Sequence, residues 1–222
     1  MNIQIVLPVH NEEGRVLQVL KDLSKLKFNV VVVDDGSTDN SKLKIINSKF
    51  KNVKLLEHKI NLGKGAALKT GSEYAFSHGA EAVILMDSDG QHAVSDLALF
   101  VEKLESKKYD LVLGSRNLSL GVPLVRYVGN KIASLIVSSM YHIYVSDLIS
   151  GFRAMTKNGY KKVKWESTGY GVETEMIIRM KKENLNYCEI PVATIYYDGY
   201  KGVSILDSFG VLANLILWKF KL

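Results

Sequence analysis

The run VILMDSDGQH, Val83 to His92, carries four apolar residues into two aspartates separated by one serine. Side chains two apart at a strand end, once the backbone turns, can converge on one hard cation, so Asp87 and Asp89 form a candidate metal pair with Gln91 as a neutral oxygen donor. Mg2+ and Mn2+ take carboxylate, carbonyl and water oxygens and often bridge to substrate phosphates. Such an ion would relieve the mutual repulsion of the pair. The same residues also suit an acidic turn before a helix, and Asp-x-Asp alone does not choose between the two.

Three further stretches offer related chemistry. VVVDDGSTD sets Asp34 and Asp35 where a carboxylate can accept hydrogen bonds from a nucleotide base, with Gly36 for the turn and Ser37, Thr38 or Asp39 for a helix cap. NLGKGAALKTG holds Lys64 between two glycines at a helix start, where backbone donors and a positive charge suit a phosphate. It is not a Walker A loop, and no GxGxxG follows the first strand. LPVHNEE supplies Pro8, His10 and Glu12 instead.

These residues need a scaffold that brings them together. IQIVLPV and NVVVVD are rich in β-branched residues and read as buried parallel strands, and between them Val16, Leu20, Leu23 and Leu26 recur at helical spacing. Strand and helix continue to alternate through VKLLEH, GKGAALKTGSEYAFSHG, AEAVILMD, AVSDLALFVEKLESKK and YDLVLGS. The alternation predicts an α/β fold with a mostly parallel sheet and helices on both faces. Ligands of such sheets lie beyond the carboxyl ends of the strands. Pro8 to Glu12, Asp34 to Asp39, Asp87 to His92, and Ser115 with Arg116 all fall there.

Composition narrows the partners. With 222 residues, 47% of them hydrophobic, and only three prolines, the chain reads as a single domain, 1–222, without a linker. The net charge of +6 and isoelectric point near 9.2 favour acidic partners. Nucleic acid is not expected, because the lysines are scattered and no basic, aromatic-interleaved patch occurs. One cysteine, Cys188, can form neither an internal disulfide nor a thiolate cage, and its setting suggests a buried residue. No signal peptide is expected. IASLIVSSMYHIYVS and SFGVLANLILW lack charge but fall short of the roughly 20 residues that span a bilayer, so they would lie on a membrane at most.

In their order and spacing, LPVHNEE, VVVDDGSTDNS, NLGKGAALKTG and DSDGQH resemble glycosyltransferase family 2. GSRN, SGFRAM, GYGVETEM and EIPV are similar to its polyprenol-phosphate sugar transferases, the group of dolichol-phosphate mannose synthase. The resemblance spans roughly residues 2 to 205 and implies a GT-A fold, a nucleotide-diphosphate sugar donor, a divalent cation (Mg2+ or Mn2+) and inversion at the anomeric carbon. It divides the chain into a nucleotide-sugar half (1–116), an acceptor half (117–205) and a final amphipathic helix (206–222). Pro8, His10, Glu12 and Asp35 would line the nucleoside pocket with Lys64 nearby. Asp87, Asp89 and Gln91 would hold the metal against the diphosphate, and Ser88 or Asp87 would touch ribose.

A polyprenyl (dolichyl) phosphate acceptor needs cations for its head and an apolar platform for its tail. Arg116, Arg126 with Asn130 one helical turn on, and Arg153 are the expected head-group residues, joined by Lys201 and Ser204 in YYDGYKGVS. Arg116 and Arg153, with Asp89, are the expected catalytic set. Ile132, Leu135, Ile136, Met140 and Ile143 on the long helix, and Phe209, Leu212, Ile216 and Trp218 with Lys219 and Lys221 on the last, would rest on the cytoplasmic face of a membrane. The donor stays open between GDP-mannose, UDP-glucose and a UDP-N-acetylhexosamine. Transfer to a glycan hydroxyl is the rival and would need a general base, for which Asp147, Glu173 and Glu175 are the available carboxylates. A sugar nucleotidyltransferase would require a glycine-rich, arginine-bearing loop after the first strand, and PVHNEEGR lacks it.

Overall fold

The structure is a computed structural model that describes residues 1–116, 124–193, 195, 214, 215, 218 and 219, with the backbone alone at 124–127. Its strands are β1 (Ile3–Val9), β2 (Asn29–Asp35), β3 (Val53–His58), β4 (Ala82–Leu85), β5 (Leu111–Arg116), β6 (Arg153–Thr156) and β7 (Tyr187–Val192). They form one sheet in the order β3-β2-β1-β4-β6-β5-β7, and β6 alone runs antiparallel to its neighbours. The helices are α1 (Val16–Ser24), α2 (Ser41–Ser48), α3 (Lys64–Ser77), α4 (Leu97–Glu105), α5 (Leu124–Tyr141), α6 (Lys157–Val163) and α7 (Val172–Lys182).

A parallel strand covered on both faces must be apolar on both, and β2 meets that demand with four successive valines. Val30 and Val32 join the core that holds α1, α2 and α4, while Val31 and Val33 join the core that holds α3, α6 and α7. Each valine so buried contributes about 1.5 kcal/mol or more relative to exposure. α1 matches this sheet with Val16, Val19, Leu20 and Leu23 on its inner stripe. Pairing of Val9 with Asp34 and of Val6 with Leu85 brings the ends of β1, β2 and β4 to one edge of the sheet, with β4 in the middle of the seven strands.

Two elements lie where the sequence pattern gives no period. SGFRAM contributes β6, four residues inserted between β4 and β5, too short for alternation to show. α6 follows at once, its N-terminus closed by the Thr156 side chain, which accepts from the Gly159 amide.

The expected membrane stripe needs correction. Ile132 and Leu135 are exposed, at 52% and 61%, but Ile136 and Met140 pack against the core and Ile143 is buried. The helix ends at Tyr141, and His142 takes a left-handed φ of 55°, so Ile143 is not on the helix. Trp218 is buried in the core with Leu215 rather than facing lipid. The Tyr141 hydroxyl donates to the Leu215 carbonyl at 2.5 Å. Phe209, Leu212, Ile216 and Lys221 lie outside the described residues. Cys188 is half-buried. Among the described residues, no helix is long and apolar enough to cross a membrane.

Candidate active site

The loops after β1 and β2 are stitched by short polar side chains that bond to backbone. The Asn11 amide donates to Ser37 Oγ at 3.1 Å, Glu12 N to Ser41 Oγ at 2.8 Å and Glu13 N to Asp39 Oδ2 at 3.0 Å, while Asn11 Oδ1 accepts from Thr38 N at 2.8 Å. Asp39 also accepts from Ser41 N at 2.9 Å, so it closes the start of α2 from one residue before the cap position. Asp35 gathers the third loop: its carboxylate accepts from Leu62 N at 3.0 Å and Gly63 N at 2.8 Å, with His58 Nδ1 2.7 Å away. Of the expected nucleoside residues, His10 is exposed, its Nδ1 2.9 Å from the Asp35 carbonyl. The Pro8 carbonyl accepts from the Ser88 hydroxyl at 2.7 Å. Asp35 thus shapes this rim through three donors of its own chain.

The two glycines beside Lys64 serve close packing. Cβ atoms at Gly63 and Gly65 would lie 2.5 Å from the Thr168 carbonyl oxygen and 2.2 Å from that of Ser167. The segment before α7 can therefore cross the start of α3, where Thr168 O accepts from Ala66 N at 3.1 Å and Trp165 Nε1 donates to Gly65 O at 2.9 Å. Lys64 is left pointing between two carboxylates, Asp87 Oδ1 at 2.7 Å and Glu173 Oε1 at 2.8 Å. Burial alone would lower the Lys64 pKa, but Asp87 and Glu173 raise it above the usual lysine value.

Asp87 and Asp89 divide unequally. Burial would raise the Asp87 pKa, yet the Lys64 ammonium, with His92 and Arg116, holds it below the usual carboxylate value. Asp89 is pushed up to about 6, first by burial and then by the charge of Asp87. Asp89 Oδ1 accepts from Gln91 N at 2.9 Å, and Arg15 donates to the Asp89 carbonyl at 3.2 Å. Gln91 is buried beside the pair. His92 is a packing residue: its ring stacks on Phe152 at 4.6 Å, Nδ1 accepts from Asp87 N at 3.2 Å, and burial pushes its pKa down to about 4, so it is neutral at pH 7. No group of three His, Cys, Asp or Glu poised for a metal occurs among the described residues. The repulsion that remains at Asp89 is what a cation would relieve, and two carboxylates plus an amide oxygen suit one whose remaining ligands come from water and substrate phosphate.

The acceptor-side residues are bound up in the protein. Arg116 makes a fork with buried Asp147, Nε to Oδ2 at 2.6 Å and Nη2 to Oδ1 at 2.9 Å. Arg153, expected at an acceptor phosphate, is only 1% exposed and donates to three carbonyls: Ser150 at 2.8 Å, Glu173 at 2.5 Å and Leu148 at 2.7 Å. Its position therefore corrects that expectation: the guanidinium has no open face toward a ligand. Burial also pushes its pKa down to about 10. Asn130 is buried, donating to the Ser146 carbonyl at 3.2 Å. The Arg126 side chain, Lys201 and Ser204 lie outside the described residues. Sequence reasoning did not single out Arg15, Gly151 or His58. A basic residue three positions after Glu12 was the available signal for Arg15. The other two become visible only through contacts distant in sequence.

The sequence pattern described as "Glycosyl transferase family 2" matches residues 4–168. The UDP-N-acetylglucosamine–dolichyl-phosphate N-acetylglucosaminyltransferase of Methanococcus voltae is 31% identical, covering 98% of this chain and 96% of the relative. The dolichyl-phosphate beta-glucosyltransferase of Saccharomyces cerevisiae is 27% identical, covering 97% of this chain and 73% of the relative. Among solved structures, glucosyl-3-phosphoglycerate synthase from Mycobacterium tuberculosis, in complex with Mn2+, UDP-glucose and phosphoglyceric acid, superposes with a TM-score of 0.74 at 18% identity, covering 98% of this chain and 79% of that one. The matched span runs from β1 to the segment that covers Lys64, and the likeness in fold to that structure extends over 98% of the chain. The chain belongs to glycosyl transferase family 2 and has the GT-A fold.

Proposed function

We propose that the protein transfers a hexose or N-acetylhexosamine from a UDP-sugar to a polyprenyl phosphate. One observation carries the choice of acceptor. Attack by a hydroxyl requires a carboxylate able to take its proton, and each of the three candidates is buried and paired with a cation. Glu173 lies 2.8 Å from Lys64, Glu175 lies 2.6 Å from Arg179 and also accepts the Glu166 and Ser167 amides, and Asp147 is held by Arg116. A phosphate acceptor is anionic near neutral pH and needs no such base. The Methanococcus and yeast relatives act on dolichyl phosphate by name, and the first uses a UDP-sugar, which favours a UDP-sugar over GDP-mannose here.

In this reaction a phosphate oxygen of the acceptor attacks the anomeric carbon from the face opposite the diphosphate. The bond from that carbon to the diphosphate breaks with its electron pair, which leaves on the nucleoside diphosphate and inverts the centre. Asp87, Asp89 and Gln91 would hold Mg2+ or Mn2+, which supplies electrostatic stabilisation for the leaving diphosphate. Lys64 keeps Asp87 ionised for that task. The rim of His10, Glu12 and Asp35 would receive the nucleoside, and Arg116, oriented by Asp147, would meet the acceptor head. Ile132 and Leu135, exposed on α5 beside Val128, offer apolar area to a membrane surface.

The test is a donor panel. The purified protein is given Mn2+, a membrane extract and UDP-glucose, UDP-N-acetylglucosamine or GDP-mannose, each labelled in the sugar. Label moving into the organic phase from a UDP-sugar is the expected result. Label from GDP-mannose alone would overturn the donor, and label confined to water-soluble glycan would overturn the acceptor.

A further inference from the structure

Arg153 is a large buried cation each of whose three nitrogens donates to a carbonyl, and the positions of those carbonyls give it a purpose. Two of them, Leu148 and Ser150, belong to the turn that leads into β6, and the third belongs to Glu173 at the start of α7. The next residue of that turn is Gly151, whose backbone lies close to Asp87 and Lys64. A Cβ there would fall 2.5 Å from Asp87 Oδ2, 2.7 Å from Lys64 Nζ and 3.1 Å from Asp87 Cγ. Glu173, whose carbonyl takes the third bond, gives its own carboxylate to Lys64 at 2.8 Å. One guanidinium therefore holds two neighbours of Asp87: the turn whose Gly151 approaches one carboxylate oxygen too closely to admit a methyl, and the residue that anchors the lysine on the other.

We propose that Arg153 is a positioning residue for the donor site, holding the Leu148–Gly151 turn and the Glu173 carbonyl so that Gly151 and Lys64 confine Asp87 to one orientation. Arginine suits this because its planar fork offers directed donors to several acceptors at once, where lysine brings a single ammonium. Glycine is required at 151 by the close approach alone, since its φ lies outside the left-handed region. The proposal rests on Asp87 being a ligand of the cation that accompanies the nucleotide.

Mn2+ binding to the full chain, followed by electron paramagnetic resonance with and without UDP, tests both statements separately. Asp87→Asn should abolish tight Mn2+ binding. If it does not, the assignment of Asp87 to the cation fails, whatever the other variants show. Gly151→Ala, which adds only the clashing methyl, should weaken Mn2+ binding by about tenfold or more, the loss typical of a disturbed outer ligand shell. Arg153→Lys should move the Mn2+ Kd in the same direction by about tenfold, and raise the donor KM more than it lowers kcat. Gly129→Ala, at an exposed α5 position with nothing within 4 Å of its added methyl, should bind Mn2+ like the parent. Near-UV circular dichroism establishes which variants are folded. Either Gly151→Ala or Arg153→Lys, if folded with a Kd within about twofold of the parent, overturns the proposal; so does an Arg153→Lys protein that melts earlier without any change in Kd.

Discussion

At the ends of β1 and β2 the polar side chains of Asn11, Ser37, Asp39 and Ser41 bond to backbone amides, while from Arg116 onward the buried charges Asp147, Arg153 and Glu175 are taken up by an opposite charge or by buried carbonyls. The first arrangement builds a rigid rim around a carboxylate pair whose charge is only partly balanced, with Asp89 pushed up to about 6. The second engages its buried charges one by one: Arg116 with Asp147, Arg179 with Glu175, Arg153 with three carbonyls. The difference teaches where chemistry is stored. A ligand is invited where like charges are held together, whereas a matched ion pair fixes the chain or, as Asp147 does for Arg116, orients a side chain.

The sharpest way to break this comparison is to remove charge from the rim. Asp89→Asn should lower the rate of transfer at saturating donor and Mn2+ by about a thousandfold, since the charge on the leaving diphosphate would lose its stabilisation, while the melting temperature stays near that of the parent. The opposite pattern is expected from the buried arginine. Arg153→Met should cost about 3 kcal/mol of stability in urea unfolding, because three buried carbonyls lose their donors.

Smaller effects sharpen the contrast. Burial would raise the Glu175 pKa, but hydrogen bonds from Ser167, the Glu166 amide and Arg179 hold it below the usual value. A depressed carboxylate stabilises the fold above its unfolded pKa and loses that contribution as the pH falls through the folded one. Glu175→Gln should therefore be less stable by about 1–2 kcal/mol at neutral pH, with the deficit closing as unfolding is measured at progressively acid pH. Last, Leu135→Asp should weaken binding to anionic vesicles by about tenfold in a flotation assay and change the melting temperature little, because Leu135 is 61% exposed.

The comparison also explains what could be read from the sequence. The strands and the edge where ligands gather were legible because a fully buried parallel strand advertises itself as an apolar run, and the residue that ends the run is at the site by geometry. Asp35 and Asp87 are placed that way by pairing registers. The acceptor half gave less, since an arginine next to a strand end looks the same whether it meets a phosphate or three carbonyls. Only the burial of Arg153 and the proximity of Leu148, Ser150 and Glu173 distinguish them, and the Glu173 contact spans 20 positions of sequence. The stripe on α5 was half visible: Ile132 and Leu135 follow the helical period outward, but the helix stop at Tyr141 that diverts Ile143 is marked by no proline or glycine. β6 stayed hidden because four residues carry no period.

The most direct measurement compares two acceptors that differ only in their head. The purified protein, with Mn2+ and the UDP-sugar that labels lipid, is offered a polyprenyl phosphate or the corresponding polyprenol in the same detergent, and sugar in the extracted lipid is counted. Product from the phosphate and none from the alcohol is predicted, because Asp147, Glu173 and Glu175 are each buried and engaged by a cation of the chain, which leaves none of them placed to serve a hydroxyl. Comparable transfer to the alcohol would contradict a site built for an acceptor that is already anionic.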